Sequence, residues 1–416
     1  MIHPEDLIRT SLQALSRNKG RSFLTIFGIV IGVSAITIVM SIGGSATQLI
    51  VKEVQSFGSE NVFVNPGKPS DGLFSFSGQS AAMLLKSLTE KDLEDLRKKA
   101  NVPDAVLVNP SVSGSISVSY GPDVKTAIVM GSGAESFRIY NLSLINGRKF
   151  TSEEVNQKAG VAIIGKNIVK DLFGPQDPIG EKIKIKDKKF KVIGVFSSSN
   201  ASMFGIDDMI VVPYTTMQQY ILGIRHFHEI AIQASSADVV PQMVMDIKRV
   251  LRENHNIDDP KKDNFIVSTQ EDIIKTVDNI LSAVTVFLAF VAAISLVVGG
   301  IGVMNIMFVS VTERTKEIGL RKALGATNKN ILSQFLLESV FLTSFGGIIG
   351  ILGGLIVTLL ITIVASYFMN TNFPYFFSVS GMLMGIAVSC GTGILFGIFP
   401  ARQAARKSPM EALRSE

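Results

Sequence analysis

Residues 313–327 read ERTKEIGLRKALGAT, a short charged segment that closes on a glycine and lies between two long uncharged stretches. No charged residue occurs from 279 to 312 or from 339 to 401. The segment and its C-terminal flank, in contrast, carry Glu313, Arg314, Lys316, Glu317, Arg321, Lys322 and Lys329. A lipid bilayer accounts for that pattern. Its hydrocarbon core of roughly 30 Å takes about 20 apolar residues of helix, so the first stretch holds one span. The second is too long for one and is broken by MNTNFPYFF at 369–377, where Pro374 disfavours a continuing helix. A fourth apolar run begins near residue 23. Four spans follow, arranged as one and then three.

Short cytoplasmic flanks carry an excess of Lys and Arg. The three flanks on the side of Glu313 hold 13 bases against seven acids, whereas the long segment between spans one and two holds 27 bases and 28 acids. The whole basic excess therefore sits on one side, which places both termini and the Glu313 loop in the cytoplasm and the long segment outside. The pI near 9.1 reports topology, and no nucleic acid is expected as a partner. The first apolar run resembles a signal peptide but is longer than a cleaved one.

The expected fold class is an α-helical membrane protein with four transmembrane helices, one plus three, and a large α+β extracytoplasmic domain. The divisions are a cytoplasmic amphipathic helix with Ile8, Leu12 and Leu15 on one stripe (1–22), span one (23–44), the outer domain (45–278), span two (279–308), a cytoplasmic segment (309–330), span three (331–368), a short outer loop (369–378), span four (379–400) and a cytoplasmic tail (401–416). Apolar residues at helical spacing, Leu49, Ile50, Val54 and Phe57 after span one and Ile273, Val277, Ile280 and Val284 around the start of span two, predict a helical stalk.

Within the outer domain, NVFVNPG (61–67), HEIAIQA (228–234) and NFIVST (264–269) read as strands. LTEKDLEDLRKKA (88–100), with Thr89 as cap, and PQMVMDIKRVLRENH (241–255) read as helices. SISVSYG and VKTAIVMG form a strand pair around Pro122 and Asp123. Together these make a split ferredoxin-like unit over 45–130 and 224–278. VAIIG, the helix NIVKDLFG and the hairpin EKIKIKDKKFKVIGVF, turning at Asp187 and Lys188, make an inserted β-rich unit over 131–223. The loop at 67–80, rich in Gly and Ser, reads as mobile. Cys390, the single cysteine, falls in span four, so the outer domain is held without a disulfide.

Few residues suggest chemistry. GVAIIGKN (160–167) matches G-x-x-x-x-G-K, but Asn167 stands where magnesium needs Ser or Thr, and the match runs through a strand. His226 and His228 share a strand face without further ligands nearby, which suits a packed or solvated pair. Glu338 reads as an acid at the inner membrane interface. No catalytic, cofactor or metal residue is assigned, so the chain is not expected to be an enzyme. Glycines at four-residue spacing, Gly28 and Gly32, Gly346, Gly350 and Gly354, Gly381 and Gly385, and Gly393 and Gly397, predict close helix packing, and such seams suit a dimer.

At this point the chain resembles the MacB-type, FtsX-like permeases of ATP-binding-cassette systems. The likeness rests on the span order, the outer domain after span one, VTERTKEIGLRKALGAT before QFLLES, the outer runs LFGPQDPIGEKI and KVIGVF, and the terminal PARQAARKSPMEALR. Unlike MacB itself, the chain shows no fused nucleotide-binding domain before it ends at Glu416, so a separate ATPase dimer is the expected partner. The resemblance implies a coupling helix formed by Glu313, Arg314, Lys316, Glu317, Ile318, Gly319, Leu320, Arg321, Lys322 and Gly325, with Ile318, Leu320 and Leu324 as apolar anchors on the ATPase. It also implies porter and sabre subdomains outside, a homodimer in membrane lipid, an outer adaptor protein, and mechanotransmission that expels a peptide, a hydrophobic drug or a lipid-anchored cargo. The second class open is a regulatory permease that transports nothing and moves an outer partner such as a cell-wall hydrolase. A plain receptor would need a cytoplasmic signalling domain.

Overall fold

The computed structural model describes residues 19–56, 58–68, 86–198, 205–369, 373–408 and 410. Nearly all of the expected amphipathic helix over 1–22, most of the loop at 67–80 and the end of the tail lie outside the described residues. In chain order the principal elements are α1 (Lys19–Ser56), β1 (Asn61–Pro66), α2 (Glu90–Arg97), β2 (Ala105–Tyr120), β3 (Asp123–Ser132), β4 (Leu142–Gly147), β5 (Val161–Gly165), α3 (Lys166–Leu172), β6 (Lys182–Ile185), β7 (Lys188–Ser198), β8 (Met209–Pro213), β9 (Glu229–Ala234), α4 (Val240–His255), β10 (Phe265–Thr269), α5 (Gln270–Glu313), α6 (Thr315–Ala323), α7 (Asn328–Met369) and α8 (Val379–Arg406). They form two compact units. One holds the described residues up to Gln48, Asn279–Phe368 and those from Phe373 on; the other is built on Leu49–Asp278.

In the first unit, four helices are long and apolar enough to cross a membrane, Ile26–Lys52, Gln270–Glu313, Asn328–Phe368 and Val379–Arg406. Helices α1 and α5 continue beyond the charge-free stretches. The glycines bring backbones together. A Cβ on Gly28 would meet Gly299 Cα of α5 at 3.1 Å, one on Gly32 would overlap Leu296, and one on Gly346 would lie 3.3 Å from Ile29. Cβ atoms on Gly350 and Gly354 would come to 2.9 Å from Val30 O and from Thr37 of α1, and those on Gly381 and Gly385 to 2.9 Å from Met40 and 3.1 Å from Val33. Gly393 and Gly397 of α8 face Ser339, Val340 and Thr343 of α7. Interhelical hydrogen bonds reinforce two of these approaches, Ser34 Oγ donating to Gly350 O at 2.7 Å and Ser339 Oγ to Gly393 O at 2.9 Å. The seams are thus used within one chain, which corrects their reading as a dimer surface. Helices in lipid gain little from apolar burial against one another, so small residues that permit close contact supply the packing.

The second unit is built on one ten-stranded sheet in the order β10-β1-β9-β2-β3-β8-β5-β7-β4, with β6 joined to β2 and β7. Its first four strands are antiparallel throughout. With α2 after β1 and α4 after β9, they have the split βαββαβ order read from the sequence. Both helices bury an apolar stripe, Leu93 and Leu96 on α2 and Met243, Ile247, Val250 and Leu251 on α4. The sheet does not break at residue 131. The 16-residue strand β2 pairs with β9 over 105–111 and with β3 over 111–120. The inserted strands therefore extend the same sheet and share one apolar core with the rest. The β6–β7 hairpin turns at Lys186 and Asp187, one residue earlier than expected, with Lys186 at φ 54°.

Helices α2 and α4 are joined through Asp92, which is 1% exposed. Its carboxylate accepts from Thr89 N (2.8 Å) and Asn254 Nδ2 (3.0 Å) and lies 3.2 Å from His255 Nε2, while His255 Nδ1 lies 2.6 Å from Asn264 Oδ1. Burial pushes the Asp92 carboxyl up, but the hydrogen bonds from His255 and Thr89 outweigh it and hold the group below its ordinary value. The bond to Asp92 raises the His255 imidazole above its ordinary value, against burial.

Two outcomes follow from these contacts. Gly393→Ala puts a Cβ 2.8 Å from Val340 Cα and is expected to destabilise the helical unit by about 1–3 kcal/mol. Gly391→Ala, where nothing lies within 4 Å, serves as a near-neutral control. Thermal unfolding in detergent distinguishes them. In the outer unit, the raised His255 pKa gives stability that is complete below about pH 6.5 and is lost as pH rises through the folded pKa. The lowered Asp92 pKa gives stability present above about pH 3.9 and lost in acid. The difference in outer-unit unfolding temperature between the native chain and His255→Gln should therefore shrink above neutral pH.

Candidate functional site

The charged segment folds as a separate helix because α5 stops at Glu313 and Arg314 adopts φ −98°, ψ 15°. At its other end, Ala326 N donates to Arg321 O and Gly325 N to Lys322 O, each at 3.0 Å, with Gly325 at φ 101°. That is the Schellman arrangement, which requires the left-handed conformation that glycine tolerates. Thr327 Oγ1 then accepts from Asn330 N at 3.3 Å as α7 begins.

Helix α6 is amphipathic. Thr315, Ile318 and Gly319 are buried, and Ile318 packs into the apolar core of the helical unit with Val311, Ile331 and Phe335. The opposite stripe, Lys316, Glu317, Leu320, Ala323 and Leu324, is exposed, with Leu320 at 55% and Leu324 at 80%. Ile318 is therefore no anchor for a partner, since its spacing puts it on the inward face; Leu320 and Leu324 remain available.

Three side chains of the segment tie it to neighbouring helices. Arg314 Nη1 donates to both carboxylate oxygens of Glu338 on α7, at 3.2 and 3.3 Å, and the Glu338 side chain is only 5% exposed. Glu338 is thus buried in an ion pair within the helical unit. Arg321 Nη1 donates to Gln334 Oε1 of α7 at 2.7 Å, and its Nη2 binds Glu317 within α6. Lys322 Nζ donates to the carbonyls of Ala405 and Lys407 at the end of α8, at 2.6 and 2.7 Å. A cation there satisfies carbonyls that a helix C-terminus leaves unpaired and meets the negative end of its dipole.

The ten residues read as the coupling helix thus divide by role. Glu313 closes α5 and Arg314 holds the junction; Ile318 and Gly319 face the core; Arg321 and Lys322 bind α7 and α8; Gly325 forms the exit turn. Lys316, Glu317 and Leu320 face outward with Leu324, while Gln334, Glu338 and the end of α8 complete the arrangement. Sequence reading had no signal for the link to the end of α8, because Lys322 and Ala405 are 83 residues apart.

The other sequence candidates do not assemble into a site. Residues 161–165 of the P-loop match are β5, paired with β7 and β8, so their backbone is committed to the sheet. Lys166 is paired with Asp207 at 2.8 Å. His226 and His228 precede β9 with ring centroids 5.7 Å apart, and Ser113 N donates to His228 Nδ1 at 3.1 Å. Burial, then the neighbouring His226, lowers the His228 pKa and so disfavours its charged form.

Residues 22–250 match the family described as MacB-like periplasmic core domain, and residues 289–409 match that described as FtsX-like permease C-terminal. "Macrolide export ATP-binding/permease protein MacB" from Wolinella succinogenes is 33% identical over 99% of this chain and 61% of its own length. The protein of the same name from Neisseria gonorrhoeae agrees in all three figures. The chain thus spans 61% of the length of these curated relatives. The crystal structure of the periplasmic region of MacB from Actinobacillus actinomycetemcomitans aligns over 56% of this chain and 99% of its own, at 22% identity and a TM-score of 0.46.

Removing one partner of a buried ion pair leaves an uncompensated charge, at a cost of about 3–5 kcal/mol, whereas apolar replacement of both is often neutral. Glu338→Ala is therefore expected to lower the unfolding temperature of the helical unit strongly, and the double change Arg314→Met with Glu338→Leu to restore most of it.

Proposed function

From the premise that this chain belongs to the MacB-type, FtsX-like permease family, we propose that it is the permease subunit of an ATP-binding-cassette export system that works by mechanotransmission. The observation that carries the proposal is the division of labour on α6. Its outward stripe offers two large apolar side chains among charges of both signs, while its inward face and three polar links fix it to α7 and α8. A partner that grips Leu320 and Leu324 moves a rigid assembly. Buried apolar anchors supply most docking affinity, and rim charges set orientation.

In this reading the gripping partner is the ATPase, present as a dimer of separate subunits, and α6 and both chain termini face the cytoplasm. ATP binding closes the ATPase dimer, α6 follows, and the outer domain moves with the helices. The permease itself acts as a homodimer in membrane lipid. The outer domain handles cargo and engages an outer adaptor protein. Of a peptide, a hydrophobic drug and a lipid-anchored cargo, the drug has the support of relatives whose name is macrolide export.

The test uses Leu320→Asp with Leu324→Asp, because both side chains are exposed and the fold does not depend on them. Purified from membranes, the native chain should bring an ATPase with it and the double variant should not, with unfolding temperatures alike. Recovery of the native chain without any ATPase would overturn the proposal, as would equal recovery from the variant.

A further inference from the structure

The β6–β7 hairpin carries a feature that neither the fold nor export explains. Its register sets Lys182 opposite Lys191 and Lys184 opposite Lys189, while Ile183 faces Phe190. Opposed residues share a face, so Ile183, Ile185 and Phe190 enter the core and all four lysines stand on the exposed side. Directly opposed cross-strand residues have Cβ atoms about 4.5–5.5 Å apart, and like charges in that position destabilise a sheet. The neighbours on this face do not relieve the repulsion. Ser119 lies opposite Lys184 on β2, Val124 beyond it on β3, and Val161 opposite Lys191 on β5. Among the described residues, the one carboxylate paired with any of these four lysines is Asp187, 4.0 Å from Lys184 and 83% exposed.

Two further lysines of the hairpin are accommodated in other ways. Lys186 Nζ donates to Ile221 O at 3.1 Å, and Lys188 lies over the Tyr220 ring at 5.0 Å. The four on the outer face remain as a two-by-two array of positive charge. Protection of a sheet edge accounts for them only in part, because β6 is paired on both sides at Lys184 and Ile185 and is open on the β2 side only at Lys182 and Ile183. General basicity does not either, since the segment between spans one and two holds 27 bases against 28 acids.

We propose that this lysine array is a binding site for a soluble phosphate-bearing polyanion, a chain of phosphate or phosphodiester groups. The residue type selects the ligand class. Protein–protein contacts are depleted in lysine and enriched in arginine, and arginine is the residue that matches planar carboxylates through two bonds. Lysine acts as a mobile point charge, which suits tetrahedral phosphates on a flexible chain. Successive array positions along a strand lie about 6.6–6.8 Å apart, so a polymer crossing the face meets two rows of cations.

The test measures binding of long-chain inorganic polyphosphate to the full chain in nanodiscs of zwitterionic lipid. The native chain is compared with K182Q/K184Q/K189Q/K191Q and with a control, K261Q/K262Q, at exposed lysines elsewhere on the outer domain. The array variant should bind at least about tenfold more weakly and the control within about twofold of native. Four phosphate contacts on a single chain predict a slope of about −3 in log affinity against log salt. The array variant should also unfold no lower than native, because repulsion has been removed, which separates lost binding from lost folding. Equal weakening by the control would overturn the site. Polyglutamate binding as tightly as polyphosphate would overturn the phosphate class, and attachment only to vesicles containing phosphatidylglycerol would overturn the soluble polymer in favour of a membrane surface.

Discussion

Close contact between helix backbones is the interaction on which the helical unit depends. In lipid an apolar side chain gains little by leaving the solvent for a neighbouring helix, so cohesion comes from dispersion over complementary surfaces and from a few hydrogen bonds. Helix α1 takes most of this role. It meets α5 at Gly28 and Gly32, and α7 at Gly346, Gly350 and Gly354, while Gly381 and Gly385 bring α8 to it. Each glycine removes the side chain that would hold two helices apart. The hydroxyls of Ser34 and Ser339 then bond to carbonyls of facing helices, where water is absent and an unpaired donor is costly.

The charged segment uses the opposite means. Around α6 the links are ionic and polar, Arg314 with Glu338, Arg321 with Gln334, and Lys322 with the last carbonyls of α8. Such bonds depend on direction, so they fix the orientation of a short helix that its one buried isoleucine could not fix alone. The glycine contacts set how closely the long helices lie, and these links set which way α6 presents its outer stripe.

In the outer unit, the length of β2 is decisive. At 16 residues it outlasts its pairing with β9 and continues into pairing with β3, so the inserted strands grow from the same sheet. A single apolar core then spans both parts.

The charge-free stretches 279–312 and 339–401, together with the apolar run that begins near residue 23, determined that helices would cross a membrane, how many there would be and where the charged segment lay, because a charge is costly to place in hydrocarbon. The alternation and spacing of apolar residues likewise marked most strands and helices of the outer unit, though not β4, β8 or the first ten residues of β2, and the Gly-x-x-x-Gly seams marked surfaces of close approach. Which surfaces those seams met was decided only in three dimensions, since spacing along a helix does not name its partner; they pack within the chain. Tertiary structure also turned Ile318 inward, buried Glu338 against Arg314, brought Lys322 to the end of α8 and set four lysines face to face on one hairpin. These outcomes depend on register and on contacts between residues far apart in the chain, and a linear pattern carries neither.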